Sequence, residues 1–178
     1  MGGSLNAVTP LDPGAAGPWP VVTRLTDLHD TRRARTLPLK LYLPEQRSPR
    51  GLILFSHGLG GSREGGSVWL RHWASHGFAA LALQHPGSDR SILRKQSPLA
   101  LRSAFKAAMN PEELTRRADD VHFVLGRIGR EAALPDVVNA ATAIGLAGHS
   151  FGAVTVQLLA GERRPNQPPK DLDPRVRA

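Results

Sequence analysis

The stretch Gly145-Leu146-Ala147-Gly148-His149-Ser150-Phe151-Gly152 decides how the rest of the chain is read. It is an apolar run that ends in Gly-His-Ser-Phe-Gly and opens into a second apolar run. A sharp strand-to-helix turn forces a strained backbone on its central residue, so the positions two before and two after must lack bulk. Gly148 and Gly152 meet that demand. Ser150 would then stand clear of a sheet at the N-terminus of a helix, where N–H groups and the helix dipole favour developing negative charge. The competing reading is a structural glycine turn that happens to hold a serine. Context favours the nucleophile: residues 142–147 are short, apolar and bounded by glycine, as a buried parallel strand is, and residues 153–160 suit a buried helix.

Upstream, Leu52-Ile53-Leu54-Phe55 is another compact apolar run, followed by the glycine-rich loop Ser56-His57-Gly58-Leu59-Gly60-Gly61. Residues 66–76 set Trp69 with Trp73 and Leu70 with Ala74 at helical spacing, and Gly77 closes that helix. Phe78 to Leu83 reads as a buried strand. Gln84 to Asn110 reads as a loop or small cap over the strand ends, with a short helix around Leu99 to Met109. Asn110, Pro111 and Glu113 form a capping-box-like start, after which Leu114, Ala118, Val121, Leu125 and Ile128 recur on one face. Val21 to Leu28 and Leu37 to Leu43 alternate around a charged turn, which predicts an antiparallel hairpin with Pro38 placing the start of its second strand at an edge.

This alternation predicts an α/β fold with a mostly parallel sheet, an N-terminal antiparallel hairpin, and a ligand site at the carboxyl ends of the strands. Proline and glycine make residues 1–20 a flexible arm, and residues 21–178 are expected to form a single domain. Residues 163–169 are again polar and proline-rich.

A serine nucleophile needs donors for the oxyanion of the tetrahedral intermediate. The N–H of Phe151 and, from the glycine loop, the N–H of Leu59 are the candidates.

Together, Ser56-His57-Gly58-Leu59-Gly60-Gly61, Gly148-His149-Ser150-Phe151-Gly152, the Asp30 to Pro44 segment and His85-Pro86-Gly87-Ser88 resemble the α/β-hydrolases of the platelet-activating factor acetylhydrolase and dienelactone hydrolase-like family. The resemblance covers most of residues 20–160. It implies that Ser150 is the nucleophile, that Leu59 and Phe151 supply the oxyanion-hole amides, and that His57 orders its loop, with Gly58, Gly148, His149 and Gly152 supporting the site. It also implies cleavage of carboxylic esters, small or lipid-like, with no metal or organic cofactor.

The order of partners departs from that pattern. In this fold the acid and then the histidine follow the serine. After Ser150 the sequence holds Glu162, Asp171 and Asp173 but no histidine. The expectation is an N-terminal part of a hydrolase, truncated before its later strands and nearly inert alone; the alternative is a non-catalytic remnant that binds a ligand or a protein. None of the upstream histidines His57, His85 and His149 is expected to replace the missing one, for want of hydrogen-bond reach to the serine, His85 being the best placed of them. His72 and His76 read as a helix-surface pair rather than a metal clamp, and His29 and His122 show no partner pattern.

Composition narrows the classes further. With no cysteine there is no disulfide and no thiolate chemistry, and the N-terminus lacks the pattern of a signal peptide, so a cytoplasmic location is expected. The formal charge is +8, with arginine clusters at 32–35, 116–117 and 163–164. These are scattered and lack aromatic interleaving, so they read as solvated arginine and not as a specific nucleic-acid surface.

Overall fold

The computed structural model describes residues 12, 14–93, 98–131, 134, 143–163 and 173–176. The readings made for residues 1–11, for Thr142, for 164–169 and for Asp171 lie outside them.

Five strands form one sheet in the order β1-β2-β4-β3-β5. β1 (Val21–Asp30) and β2 (Arg35–Pro44) are the expected hairpin, antiparallel from Val21 opposite Pro44 to Asp30 opposite Arg35. β2 also pairs antiparallel with β4 (Ala79–Leu83), which pairs parallel with β3 (Leu52–Ser56), which pairs parallel with β5 (Ile144–Gly148).

β2 lies inside the sheet and β1 forms its edge, but the start of β2, residues 35–38, pairs with β1 and lies outside the ladder to β4, as expected for a strand start at an edge. Pro38 is tolerated there for a local reason. Its carbonyl accepts the Gln84 N–H at 2.9 Å, and the ladder to β4 begins one residue later, at Leu39 opposite Leu83. N–H and C=O of one antiparallel residue point the same way, so the missing donor faces beyond the end of that ladder.

Side-chain alternation divides the core into two layers. Leu37, Leu39, Leu41 and Leu43 of β2, with Ala79, Leu81 and Leu83 of β4, meet α3 (Pro111–Arg127) and α4 (Phe151–Leu159) on one face. On the other face Tyr42, Ala80, Ala82 and Phe55 pack on Leu70 and Ala74 of α1 (Ser67–Ser75). β4 is buried along its whole length, which explains its unbroken apolar sequence.

α3 begins as its sequence predicts. Asn110 Oδ1 accepts the Glu113 N–H at 2.7 Å, and Pro111 occupies the first turn, where its missing N–H costs nothing. The stripe Leu114, Ala118, Val121, Leu125 and Ile128 is buried. α2 (Pro98–Ala108) is the short helix expected in the cap segment. The end of the N-terminal arm lies on α1, with the Trp19 N–H donating to the Ser75 carbonyl at 3.1 Å and the Gly17 N–H to Ser75 Oγ at 2.9 Å.

Register places the site. Leu83, Ser56 and Gly148 end their strands side by side, since Ser56 is opposite both Leu83 and Gly148. The loops that leave these three residues therefore emerge together at one end of the sheet.

Candidate active site

Ser150 sits between β5 and α4 with φ 53° and ψ −119°, a strained backbone for a residue with a side chain. The turn is held by the Gly152 N–H to the His149 carbonyl and the Ala153 N–H to the Ser150 carbonyl, both 2.9 Å. Gly148 is required by close approach: a Cβ there would stand 2.3 Å from the Gly152 carbonyl oxygen. Ser150 and His149 are exposed. Among the described residues no side chain hydrogen bonds to Ser150 Oγ.

The loop after β3 lies directly against this turn, close enough that a Cβ on Gly58 would come within 3.3 Å of Ser150 Cβ. His57, Gly58, Leu59, His149 and Ser150 line one cleft of about 280 Å³ with Phe55 and Trp69. The sheet register thus unites residues almost a hundred positions apart. The loop is tied down by the Gly61 N–H to the Gly58 carbonyl at 3.0 Å and the Gly60 N–H to the Ser88 carbonyl at 2.9 Å. Leu93 and Phe105 of the cap segment lie over Gly60. The amides of Leu59 and Phe151 make no hydrogen bond to other described residues. Trp69 lies beside the His149 ring, 6.1 Å between centroids.

His57 is locked in place. Its Nε2 accepts the His85 N–H at 3.0 Å, so its Nδ1 carries the proton and donates to the Gly58 carbonyl at 2.6 Å. Burial, and secondarily the charge of Arg117, lowers its pKa to about 4. A neutral ring with both nitrogens engaged holds the loop and has no lone pair to offer Ser150.

His85, the best placed of the upstream histidines, is engaged elsewhere. It is wholly buried, with Nδ1 donating to Asp120 Oδ2 at 3.0 Å and Nε2 accepting the Ser56 hydroxyl at 3.0 Å. Burial first, then Arg117, lowers its pKa to about 3, so the bond to Asp120 joins a neutral imidazole to a carboxylate. Asp120 also receives Arg33 Nη1 at 2.8 Å and Arg35 through Nε at 2.9 Å and Nη2 at 2.8 Å. Burial raises its pKa, but these bonds outweigh it and hold the carboxyl below its ordinary value.

The reading of the arginine clusters as solvated holds for Arg32, Arg116 and Arg163, which are exposed, and fails for Arg117. Arg117 is 0% exposed. Its Nε donates to Thr155 Oγ1 at 3.0 Å, Nη1 to Ser88 Oγ at 2.9 Å, and Nη2 to Ser56 Oγ at 2.9 Å and to the His57 carbonyl. Burial lowers its pKa to about 10, which leaves it charged at neutral pH. A signal for this layer exists in the sequence: Glu113, Arg117, Asp120 and Val124 recur at helical spacing beside the apolar stripe of α3, and all four are buried.

The His72 and His76 rings are 4.5 Å apart, and His76 Nε2 contacts the Ala15 carbonyl at 3.1 Å. Among the described residues no three His, Cys, Asp or Glu side chains gather as a metal site, and no helix is long and apolar enough to cross a membrane. Val176 bridges Ile144 in parallel, beside the outer edge of β5.

The family model for platelet-activating factor acetylhydrolase, isoform II, matches residues 36–96, from β2 through the His57 loop to just beyond His85. No curated protein matches the chain in sequence. Among solved structures, a ferulic acid esterase from Streptomyces cinnamoneus is similar at 22% identity and TM-score 0.59 over 80% of this chain and 56% of that one. A dienelactone hydrolase from Anabaena variabilis is similar at 17% identity and TM-score 0.53, over 79% and 58% respectively. A dienelactone hydrolase-like promiscuous phosphotriesterase from metagenomic libraries is similar at 18% identity and TM-score 0.56, over 79% and 55%. The chain thus spans little more than half the length of these structures. Residues 36–96 are thus similar in sequence to the platelet-activating factor acetylhydrolase family, and the fold over most of the chain is that of the α/β-hydrolases.

Proposed function

We propose that this chain is the nucleophile-bearing part of a serine-dependent carboxylic ester hydrolase, with Ser150 as nucleophile and the amides of Leu59 and Phe151 as its oxyanion hole. The observation that carries this reading is a strained, exposed serine at the mouth of a cleft, beside the amides of Leu59 and Phe151, which bond to no other described residue. Ser150 Oγ attacks the ester carbonyl, and the carbonyl oxygen takes up the negative charge. The carbon–oxygen bond to the alcohol then breaks, the alcohol leaves with a proton, and water hydrolyses the acyl-serine. His57, Gly58, Gly148, His149 and Gly152 shape the site. The cleft, walled by Phe55 and Trp69, suits a small ester with an apolar group.

The triad's acid and histidine are expected from outside these 178 residues. Loss of the base costs about 10⁶-fold in a serine hydrolase, so the chain alone should label slowly and not turn over. A fluorophosphonate tests this, since the serine oxygen displaces fluoride and the adduct remains. At alkaline pH, mass spectrometry should place one phosphonyl group on Ser150 and find none in Ser150→Ala. Equal labelling of that variant, or an adduct elsewhere, would rule the reading out.

A second reading, a non-catalytic module that binds a ligand or a protein, is favoured by β5 standing at the sheet edge. Absence of any Ser150 adduct would support it.

A further inference from the structure

The buried guanidinium of Arg117 touches both segments that carry the unengaged amides. On one side Nη2 donates to the His57 carbonyl, two residues before Leu59, and to Ser56 Oγ at the end of β3. On the other side Nε donates to Thr155 Oγ1, whose hydroxyl donates in turn to the Phe151 carbonyl at 3.0 Å. The guanidinium carbon also lies 4.8 Å from the centroid of the Phe151 ring. Nη1 adds Ser88 Oγ, and the Ser88 carbonyl holds Gly60 N–H.

These hydrogen-bond partners are all neutral oxygens. Burying a cation without a directly bonded carboxylate is costly, and an apolar side chain of similar size would pack with less penalty. Stability alone therefore gives little reason for an arginine here. What an arginine supplies is a planar fork whose donors have fixed relative directions, which a flexible ammonium does not. Ser56 completes the frame: its oxygen accepts from Arg117 while its proton goes to His85, which is anchored by Asp120.

We propose that Arg117 is a positioning residue for the oxyanion hole, setting the separation and angle of the Leu59 and Phe151 amides by bonding the His57 loop and the first turn of α4 at once. The inference rests on Ser150 being the nucleophile. A donor held out of place loses much of its effect, since the benefit depends on reaching the oxyanion without reorganisation.

The test is the kinetics of fluorophosphonate labelling of Ser150 in the full chain, resolved into the binding constant Ki and the rate of bond formation kinact. Arg117→Met and Arg117→Lys are each compared with wild type, with folding checked by near-ultraviolet circular dichroism. Both variants should lose about 10-fold or more in kinact, short of the roughly 10²–10³-fold for removing a donor outright, with Ki little changed. Wild-type kinact in both overturns the proposal. Wild-type kinact in Arg117→Lys alone also overturns it, because charge and not geometry would then be responsible. Should neither variant fold, Thr155→Val, which removes the Nε acceptor, must still lower kinact, and an unchanged value overturns the proposal. If wild type itself is not labelled at Ser150, the nucleophile assignment fails and this role falls with it.

Discussion

A Cβ added to Gly152 would stand 1.9 Å from the carbonyl oxygen of Ser56. The first turn of α4 is therefore laid on the last residue of β3, and glycine at 152 serves a packing contact between elements as well as the turn at Ser150. The obstacle is backbone in an interior strand and cannot swing aside. Gly152→Ala should destabilise the chain by about 1–3 kcal/mol, as overpacking does. A denaturant midpoint equal to that of wild type would contradict this.

Ser150 itself stores strain. Its φ of 53° with ψ −119° is a region that glycine enters without a steric penalty. At an ordinary helical position glycine is less stable than alanine by roughly 1 kcal/mol. At 150 the order should reverse, with Ser150→Gly at least about 1 kcal/mol more stable than Ser150→Ala. Comparing the two thermal midpoints decides the matter, and the usual order would mean that the turn is relaxed.

The start of α3 depends on one side chain. Asn110 Oδ1 accepts the Glu113 N–H at 2.7 Å, so Asn110→Ala should cost about 1 kcal/mol, while Asn110→Asp should be nearly neutral. Urea unfolding of the two variants would show the difference, and equal losses would exclude the cap.

Two buried histidines make stability depend on pH. His57 at about 4 and His85 at about 3 both lie below the ordinary value of 6.5, chiefly through burial and then through the charge of Arg117. Between about pH 6.5 and 4 the unfolded chain binds protons that the folded chain refuses, so stability rises with pH across this window. Acidification from 7 to 4.5 should remove on the order of a few kcal/mol. Asp120, held below 3.8, adds a further loss as the pH falls through its folded value. Midpoints that stay level from pH 7 to 4.5 would show that the two rings are not buried as described.

Much of the architecture is written in local pattern. The apolar runs of β3, β4 and β5, the alternation of β1 and β2, and the Asn110-Pro111 start of α3 report backbone preferences and side-chain faces, which act over a few residues. The Gly148-His149-Ser150-Phe151-Gly152 turn is legible for the same reason: its sterics are settled by neighbours in the chain. Pro38 shows the limit. Its missing donor marks the start of β2 as lying outside a ladder, yet that the rest of β2 pairs on its far side with β4, some forty residues away, is not written near it.

The sequence by itself determined the α/β pattern, the serine turn and the glycine-rich loop after β3. Tertiary structure alone decided that Ser56 aligns with both Leu83 and Gly148, bringing those loops together, and that His85 serves Asp120 and Ser56 instead of Ser150. It also decided that Arg117, one arginine in a chain with a large cationic excess, is buried behind the site. The physical reason is range. Periodicity and turn sterics are properties of adjacent residues, whereas a hydrogen-bond network among buried charges exists only once register and helix packing have set donors and acceptors face to face.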